Sequence, residues 1–524
     1  MRGSVPETTT EQPPEPAADT ATAPPRSARA ERSILRSVVF GTLGSVLLMI
    51  GSYGVGWLAG VSELRRSPLV IELRFTTPGA ILSIILVAIG SMMLVREWFR
   101  LGQKLQGWGP GSRRWVTAAT IAWSVPMVFS VPIFSRDVYS YIGQGRVAAA
   151  GLSPYEAGVS TIENFFQLGA DQLWSESPPP YGPLFIMMER AIVGITGAEP
   201  DSSVFLFRIL CVLSVMLLAW TVPRLAQRHG IDPTRALWLS TANPLLLVNF
   251  ILAVHNDAIM TALALLGVLV AATWRDWRGG LAGTALVVLS IGIKPITVVL
   301  LPFIGLLWAG RGASWPRKFL IWFLTLAWAI AVMAALGWMS GFGWGWIAGL
   351  STTGTSFIWY APIGLLGVVV GGIAGLFGGD AGAARGFVHS AGQALAVPVI
   401  LWLMFTGRDE RVVRRMTLAF AAIVVFSPMI QAWYVVWLIP FFAVTGIRPD
   451  WQADVLLFLT VFFMIYAISD QLDVFPYLDI DLGSGRTIAA VIGVAYGAYL
   501  WFLDPSTRRS RRTRTLDPNR PVVI

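Results

Sequence analysis

Apolar runs of about 15 to 23 residues recur from Val38 to Phe502, and no other property of this chain restricts its fold as severely. In hydrocarbon every backbone N–H and C=O must find a partner, and a helix provides one within the segment itself. About 20 residues then cross a core of roughly 30 Å. Of the 524 residues, 55% are apolar and 13% are charged, about half the charged share of an ordinary globular chain. The expected fold is all-α: a polytopic membrane protein with about 13 to 15 transmembrane helices over residues 34–503.

A net charge of +9 and a pI near 10.0 would fit a nucleic-acid partner, but the basic residues are not placed for one. They sit at membrane edges. Arg26, Arg29, Arg32 and Arg36 precede the first span, and Arg96, Arg100, Lys104, Arg113 and Arg114 separate the second from the third. Arg224, Arg228 and Arg235, then Arg408 to Arg415 and Arg508 to Arg514, follow the same rule. The positive-inside bias makes these segments cytoplasmic and leaves no nucleic-acid surface. Residues 135–201 then form a large first extracytoplasmic loop, and its charge has the opposite sign. Acids Asp137, Glu156, Glu163, Asp171, Glu176, Glu189, Glu199 and Asp201 face only Arg136, Arg146 and Arg190. Residues 1–33, rich in Pro, Ala, Thr and Glu, read as a disordered cytoplasmic tail, and 504–524 as a basic one. The lone Cys211 excludes a disulfide within the chain.

Beyond the loop, Leu184 to Gly197 carries Glu189-Arg190 in mid-run, which favours a helix lying on the membrane over a crossing. Spans follow at Val204–Val222 and Leu237–Ala253, with His255-Asn256-Asp257 at the outer turn before Met260–Thr273. Two units break at polar centres. Leu281–Ala309 is interrupted at Lys294-Pro295, and Met416–Val444 at Ser427-Pro428 and Gln431-Ala432-Trp433-Tyr434. Basic flanks make each an in-out-in hairpin with its tip toward the outer face. Between Gly341 and Phe405 the spans do not return the chain to the cytoplasm before Arg408, and Gly337 to Tyr360 is a candidate re-entrant segment. Val455–Ile468 leads to an acidic outer loop with Asp470, Asp473, Asp479 and Asp481, and Ile488–Phe502 returns.

Ser135-Arg136-Asp137-Val138-Tyr139-Ser140-Tyr141 sets an acid directly after the apolar run Ala118–Phe134, and Pro178-Pro179-Pro180-Tyr181-Gly182-Pro183 closes the loop on that side. If Ser135 caps a helix, Asp137 occupies a first turn that favours a carboxylate. Helical spacing also puts Asp137, Tyr141 and Gln144 on one face, a composition that suits a sugar. His255 is either a hydrogen-bonded structural residue or part of the same surface. A lysine on a span costs about 2.5 to 3.5 kcal/mol at the bilayer centre, so Lys294 needs a partner or a purpose. A phosphate at the helix break and snorkelling to headgroups serve equally. Arg208, within another apolar run, is a second candidate for a buried anion. Gln431, Trp433 and Tyr434 offer amide, indole and phenol on the side of Asp137. The three histidines, His229, His255 and His389, are not spaced as metal ligands. A solvated acidic loop explains Asp479 and Asp481 better than a divalent cation.

Taken together, Ser135 to Tyr141, Pro180-Tyr181-Gly182-Pro183, His255-Asn256-Asp257, Gly292-Ile293-Lys294-Pro295 and Gln431 to Tyr434 resemble the GT-C glycosyltransferases. They are most similar to the polyprenyl-phosphomannose-dependent α-(1→6)-mannosyltransferases of mycobacteria and corynebacteria that build lipomannan. The resemblance covers about residues 37 to 503 and leans toward the member acting on the proximal mannan core. It implies catalysis by an acid of the first outer loop, here Asp137, with Lys294 and Arg208 holding the donor phosphate. Arg136, Tyr139, Tyr141, Gln144, Tyr181, His255, Asn256, Asp257, Gln431, Trp433 and Tyr434 would position the sugars. It implies a multi-pass plasma-membrane enzyme with an extracytoplasmic site and no cofactor or metal. Its partners would be polyprenyl phosphomannose, a mannosylated glycolipid acceptor and membrane lipids. A flippase or transporter of a lipid-linked sugar is the rival reading; it predicts broken helices at the midplane and inverted repeats, whereas here the polar breaks gather at one face.

Overall fold

The computed structural model describes residues 28–105, 108–351, 357–447, 451–470 and 482–507, and every regular element among them is helical. Helix α1 (Ala28–Val55) starts inside the stretch expected as a tail, because its first turn is tied down: Glu31 pairs with Arg114, and Ser33 O accepts from Lys104 at 2.6 Å. After the short α2 (Pro68–Phe75), α3 (Thr77–Lys104) packs back on α1 at small residues. A Cβ on Gly44 would stand 2.9 Å from Gly90 O, and one on Gly90 2.6 Å from Gly44 O, so only glycine permits this approach. Next, α4 (Arg113–Val128) docks by Trp123, whose indole donates to Val38 O at 3.0 Å. The outer segment then supplies α5 (Asp137–Ala149) and α6 (Pro183–Thr196), and the long α7 (Pro200–Arg228) returns the chain.

Downstream the helices are short and broken. The pair α8 (Pro233–Leu239) and α9 (Pro244–Leu247) bends by 56°, and α9 runs into a π-helical turn at Val248–Leu252. Then come α10 (Asp257–Thr273), α11 (Trp277–Ile293), a 3-10 turn at Pro295–Leu300 and α12 (Leu301–Ala309). Helices α13 (Trp315–Ser340), α14 (Pro362–Leu376), α15 (Ala381–Phe405), α16 (Val412–Val425), α17 (Ala432–Thr445), α18 (Trp451–Asp470) and α19 (Leu482–Ala498) complete the order. Among the described residues five helices, α1, α3, α7, α13 and α15, are long and apolar enough to cross a membrane, six if the bent pair counts as one span. The larger expected number is approached only by counting the shorter apolar helices of 10–17 residues, which sequence alone did not separate from full crossings.

One end of the molecule is basic. Arg96 pairs with buried Asp504 at 2.6 Å, Arg235 donates to Ile447 O, Arg414 to Gly446 O, and Lys318 reaches Asp409 at 3.2 Å. The acidic segment lies at the other end, where Ser62 donates to Asp201 at 2.7 Å and Tyr155 meets Phe342. Helices α16 and α17, 14 residues each, rise about 21 Å from the basic end, so their tip stops short of a full crossing. The unresolved parity at 341–405 has the same origin. Phe405 stacks on Trp315 at the basic end, while Gly392, halfway along α15, meets Ile363 at the start of α14. Hence α14 begins at mid-depth, where Ile358 N donates to Pro428 O, and rises only half way before α15 makes the full descent.

Candidate active site

The site forms where the broken helices meet the start of α5. Phe134 is held at φ +69°, turning the chain so that Ser135 Oγ accepts the Asp137 N–H at 3.1 Å. The cap position itself falls to Arg136, one residue later than expected, and Asp137 opens α5 with its side chain 32% exposed. Its Oδ2 lies 3.5 Å from Nδ1 of the fully buried His255. That spacing is too long for a good hydrogen bond. Val254, at φ +60°, aims His255 into the site; a β-branched residue in the left-handed region is strained, and such strain persists only where the surroundings impose it.

Behind the imidazole stands a second carboxylate. Asp257 Oδ2 is 3.7 Å from His255 Nδ1, and its Oδ1 accepts from Lys294 Nζ at 2.8 Å and Trp437 Nε1 at 2.6 Å. Lys294 ends α11 in extended conformation because Pro295 bars the helical region for the residue before it. The ammonium is ringed by Trp437 (5.2 Å), Tyr181 (5.9 Å) and Tyr434 (5.9 Å). Asp137, His255, Asp257 and Lys294 therefore run as one polar chain from an open rim to a buried floor. The Trp433 ring lies over His255 at 4.2 Å.

Buried polar atoms without a hydrogen-bond partner collect around this chain. They include the Tyr141 hydroxyl, Gln144 Oε1, both ends of the Asn256 amide and Asp257 Oδ2. Leaving such groups dry costs stability, so their clustering points to a polar ligand that completes them. Tyr141 is wedged edge-on between Tyr181 (5.4 Å) and Phe185 (4.9 Å), and Gly182 N donates to Ile293 O at 3.1 Å, locking the Pro180–Pro183 segment to the Lys294 break. Gln431 and Trp433 line a cleft with Phe134, Asn249, Tyr360 and Tyr466. Tyr434 turns to the Lys294 side and packs on Trp437 at 4.3 Å.

Three expected site residues do other work. Arg208 donates to Ile251 O, Val128 O and Leu252 O at 3.0, 3.0 and 3.3 Å, so all its nitrogens serve carbonyls freed by the π-turn and the end of α4. It clamps the backbone with three of its N–H bonds, one from each nitrogen. Arg136 donates to Gly169 O and Ala170 O between Trp57 and Phe166, and the Tyr139 hydroxyl donates to Trp57 O at 2.8 Å. Both hold the outer segment in place. Glu189, expected on a helix at the membrane surface, is fully buried with neither oxygen bonded. Trp437 was missed, although its i,i+4 spacing from Trp433 marks the same helix face. No group of three potential metal ligands occurs among the described residues, and Asp473, Asp479 and Asp481 lie outside them.

Comparison with known proteins follows this geometry. The α-(1→6)-mannopyranosyltransferase N-terminal domain (MptA/B family) matches residues 38–310, and the MptB C-terminal domain matches residues 361–496. An α-(1→6)-mannopyranosyltransferase of Mycobacterium tuberculosis is 28% identical over 90% of this chain and 89% of its own. α-(1→6)-Mannopyranosyltransferase A of the same organism is 30% identical over 76% of this chain and 78% of its own. α-(1→6)-Mannopyranosyltransferase B of Corynebacterium glutamicum is 25% identical over 88% and 80%. No solved structure matches.

Proposed function

Because the chain belongs to the α-(1→6)-mannopyranosyltransferase MptA/B family, on the MptB side, and is a multi-pass membrane mannosyltransferase, we propose that it moves mannose from polyprenyl phosphomannose to an α-(1→6)-mannan acceptor of lipomannan and lipoarabinomannan, on the outer face of the plasma membrane. The observation that carries this reading is the partly open Asp137 carboxylate beside a buried set of unpartnered amides and hydroxyls.

In the proposed step Asp137 takes the proton of the acceptor 6-hydroxyl as that oxygen attacks C1 of the β-linked donor in line. The C1–O bond to phosphate breaks, its electron pair leaves with the polyprenyl phosphate, and the product is α-linked by inversion. Lys294, which keeps two N–H bonds beyond Asp257, would face the leaving phosphate. Asn256, Gln144 and Tyr141 offer hydrogen bonds to sugar hydroxyls, Trp433 a stacking face, and Tyr181, Tyr434 and Gln431 flank them. His255, between two carboxylates, would hold Asp137 in register. The family assignment decides for an enzyme over a transporter. Membranes carrying Asp137→Asn should transfer mannose about 10²- to 10⁴-fold more slowly than wild type at equal protein level. Transfer at the wild-type rate would remove Asp137 as the base.

A further inference from the structure

At the basic end, α7, α10 and the turn after α10 line an open cavity of ≈ 520 Å³ that the sugar site does not use. Trp220, Arg224, Arg228, Leu269, Val270 and Trp274 wall it. The Arg224 guanidinium stands 4.0 Å from the Trp220 ring centroid and donates to Trp220 O at 2.8 Å. Arg228 follows one turn later, and Arg275 approaches from the turn. Partial burial, then the charges of Arg311 and Arg228, hold Arg275 below the ordinary arginine value, so these guanidiniums feel one another.

Among the described residues none of these four arginines forms an ion pair, and the acids nearby, Glu410 beside Arg275 and the helix-capping Asp276 and Asp232, pair with neither Arg224 nor Arg228. Asp276 accepts from Gly279 N at 3.0 Å and Asp232 from Arg235 N at 2.8 Å. Arg224 and Arg228 are the two cations of the cavity wall, and both are left without an acidic partner among the described residues. Its depth is set by the exposed indoles of Trp220, Trp274 and Trp277, side chains that settle at the level of lipid headgroups. From Trp220 an exposed apolar stripe runs along α7 through Met216 and Leu213. A soluble anion has no use for that stripe.

We propose that this cavity is a specific binding site for an anionic phospholipid, with the phosphodiester between Arg224 and Arg228 and the acyl chains along Met216 and Leu213. Basic pockets between membrane helices take such headgroups, and guanidinium meets phosphate in a two-point fork.

Native mass spectrometry of the full-length protein in detergent, titrated with phosphatidylglycerol, tests the site. Wild type should retain one phosphatidylglycerol and discriminate against phosphatidylcholine. Arg224→Ala/Arg228→Ala should weaken retention about thirtyfold and Arg228→Gln alone about fivefold, whereas Arg113→Ala/Arg114→Ala at the same end should change nothing. The Arg228 side chain makes no hydrogen bond among the described residues, so the single variant reads the site even if the double variant fails to fold. Equal losses in both pairs, unchanged retention in Arg228→Gln, or inorganic phosphate competing as well as the lipid would each overturn the proposal.

Discussion

Asp257 is the most heavily committed side chain of the site, since one carboxylate oxygen accepts from both Lys294 and Trp437 without exposure to water. Removing a partner from a buried pair leaves an uncompensated charge, at a cost of about 3 to 5 kcal/mol. Lys294→Met should therefore lower the melting temperature sharply, and Lys294→Met/Asp257→Leu should recover much of it while transfer stays absent. If the double variant is as unstable as the single one, the pair is not what holds these helices. Arg208 is the opposite case. Arg208→Ala should destabilise the protein and leave the KM for donor unchanged in whatever fraction folds; a raised KM would return Arg208 to the phosphate. Sequence singled out Arg208 because an arginine in an apolar run needs a partner, and that physics was right. The partner is three carbonyls, two in a π-turn and one at the end of α4, which no local pattern announces.

At the level of elements, the motifs were legible because each sits at a helix break, and breaks are written in Pro, Gly and polar clusters. Lys294-Pro295 and Ser427-Pro428 interrupt their units where expected. Crossing number was less legible, since a run of 14 to 17 apolar residues looks alike whether it spans a bilayer or ends at mid-depth. The half-length α14 defeated parity for this reason. The joint between α6 and α11 makes a sharp prediction. A Cβ on Gly182 would lie 2.6 Å from the carbonyl oxygens of both Ile291 and Gly292, and backbone cannot step aside. Gly182→Ala should lower thermal stability and abolish transfer, whereas Gly194→Ala, with nothing within 4 Å, should leave stability unchanged or raise it by about 0.5 to 1 kcal/mol. Similar behaviour of the two in a melting assay would contradict this joint.

For the whole molecule, charge asymmetry and the gathering of helix breaks fix a polarity that labelling can read. Cys211 is 2% exposed and its Sγ donates to His255 O at 3.5 Å, a bond that a serine hydroxyl can take over, so Cys211→Ser gives a background with no thiol. In that background Leu173→Cys should react with a membrane-impermeant maleimide on intact cells, and Arg408→Cys only after lysis. The reverse pattern would invert the proposed orientation. The Asp257 network has one more consequence, which concerns the order of synthesis. Lys294 follows Asp257 by 37 residues, but Trp437 follows it by 180. The emerging α10–α11 hairpin can thus cancel its own charges before it meets lipid, and the indole arrives much later to close the pair from the side. Membrane insertion and completion of the site are then separate events in the life of one chain, and a ribosome stalled between Lys294 and Trp437 leaves a protein that is embedded yet inert.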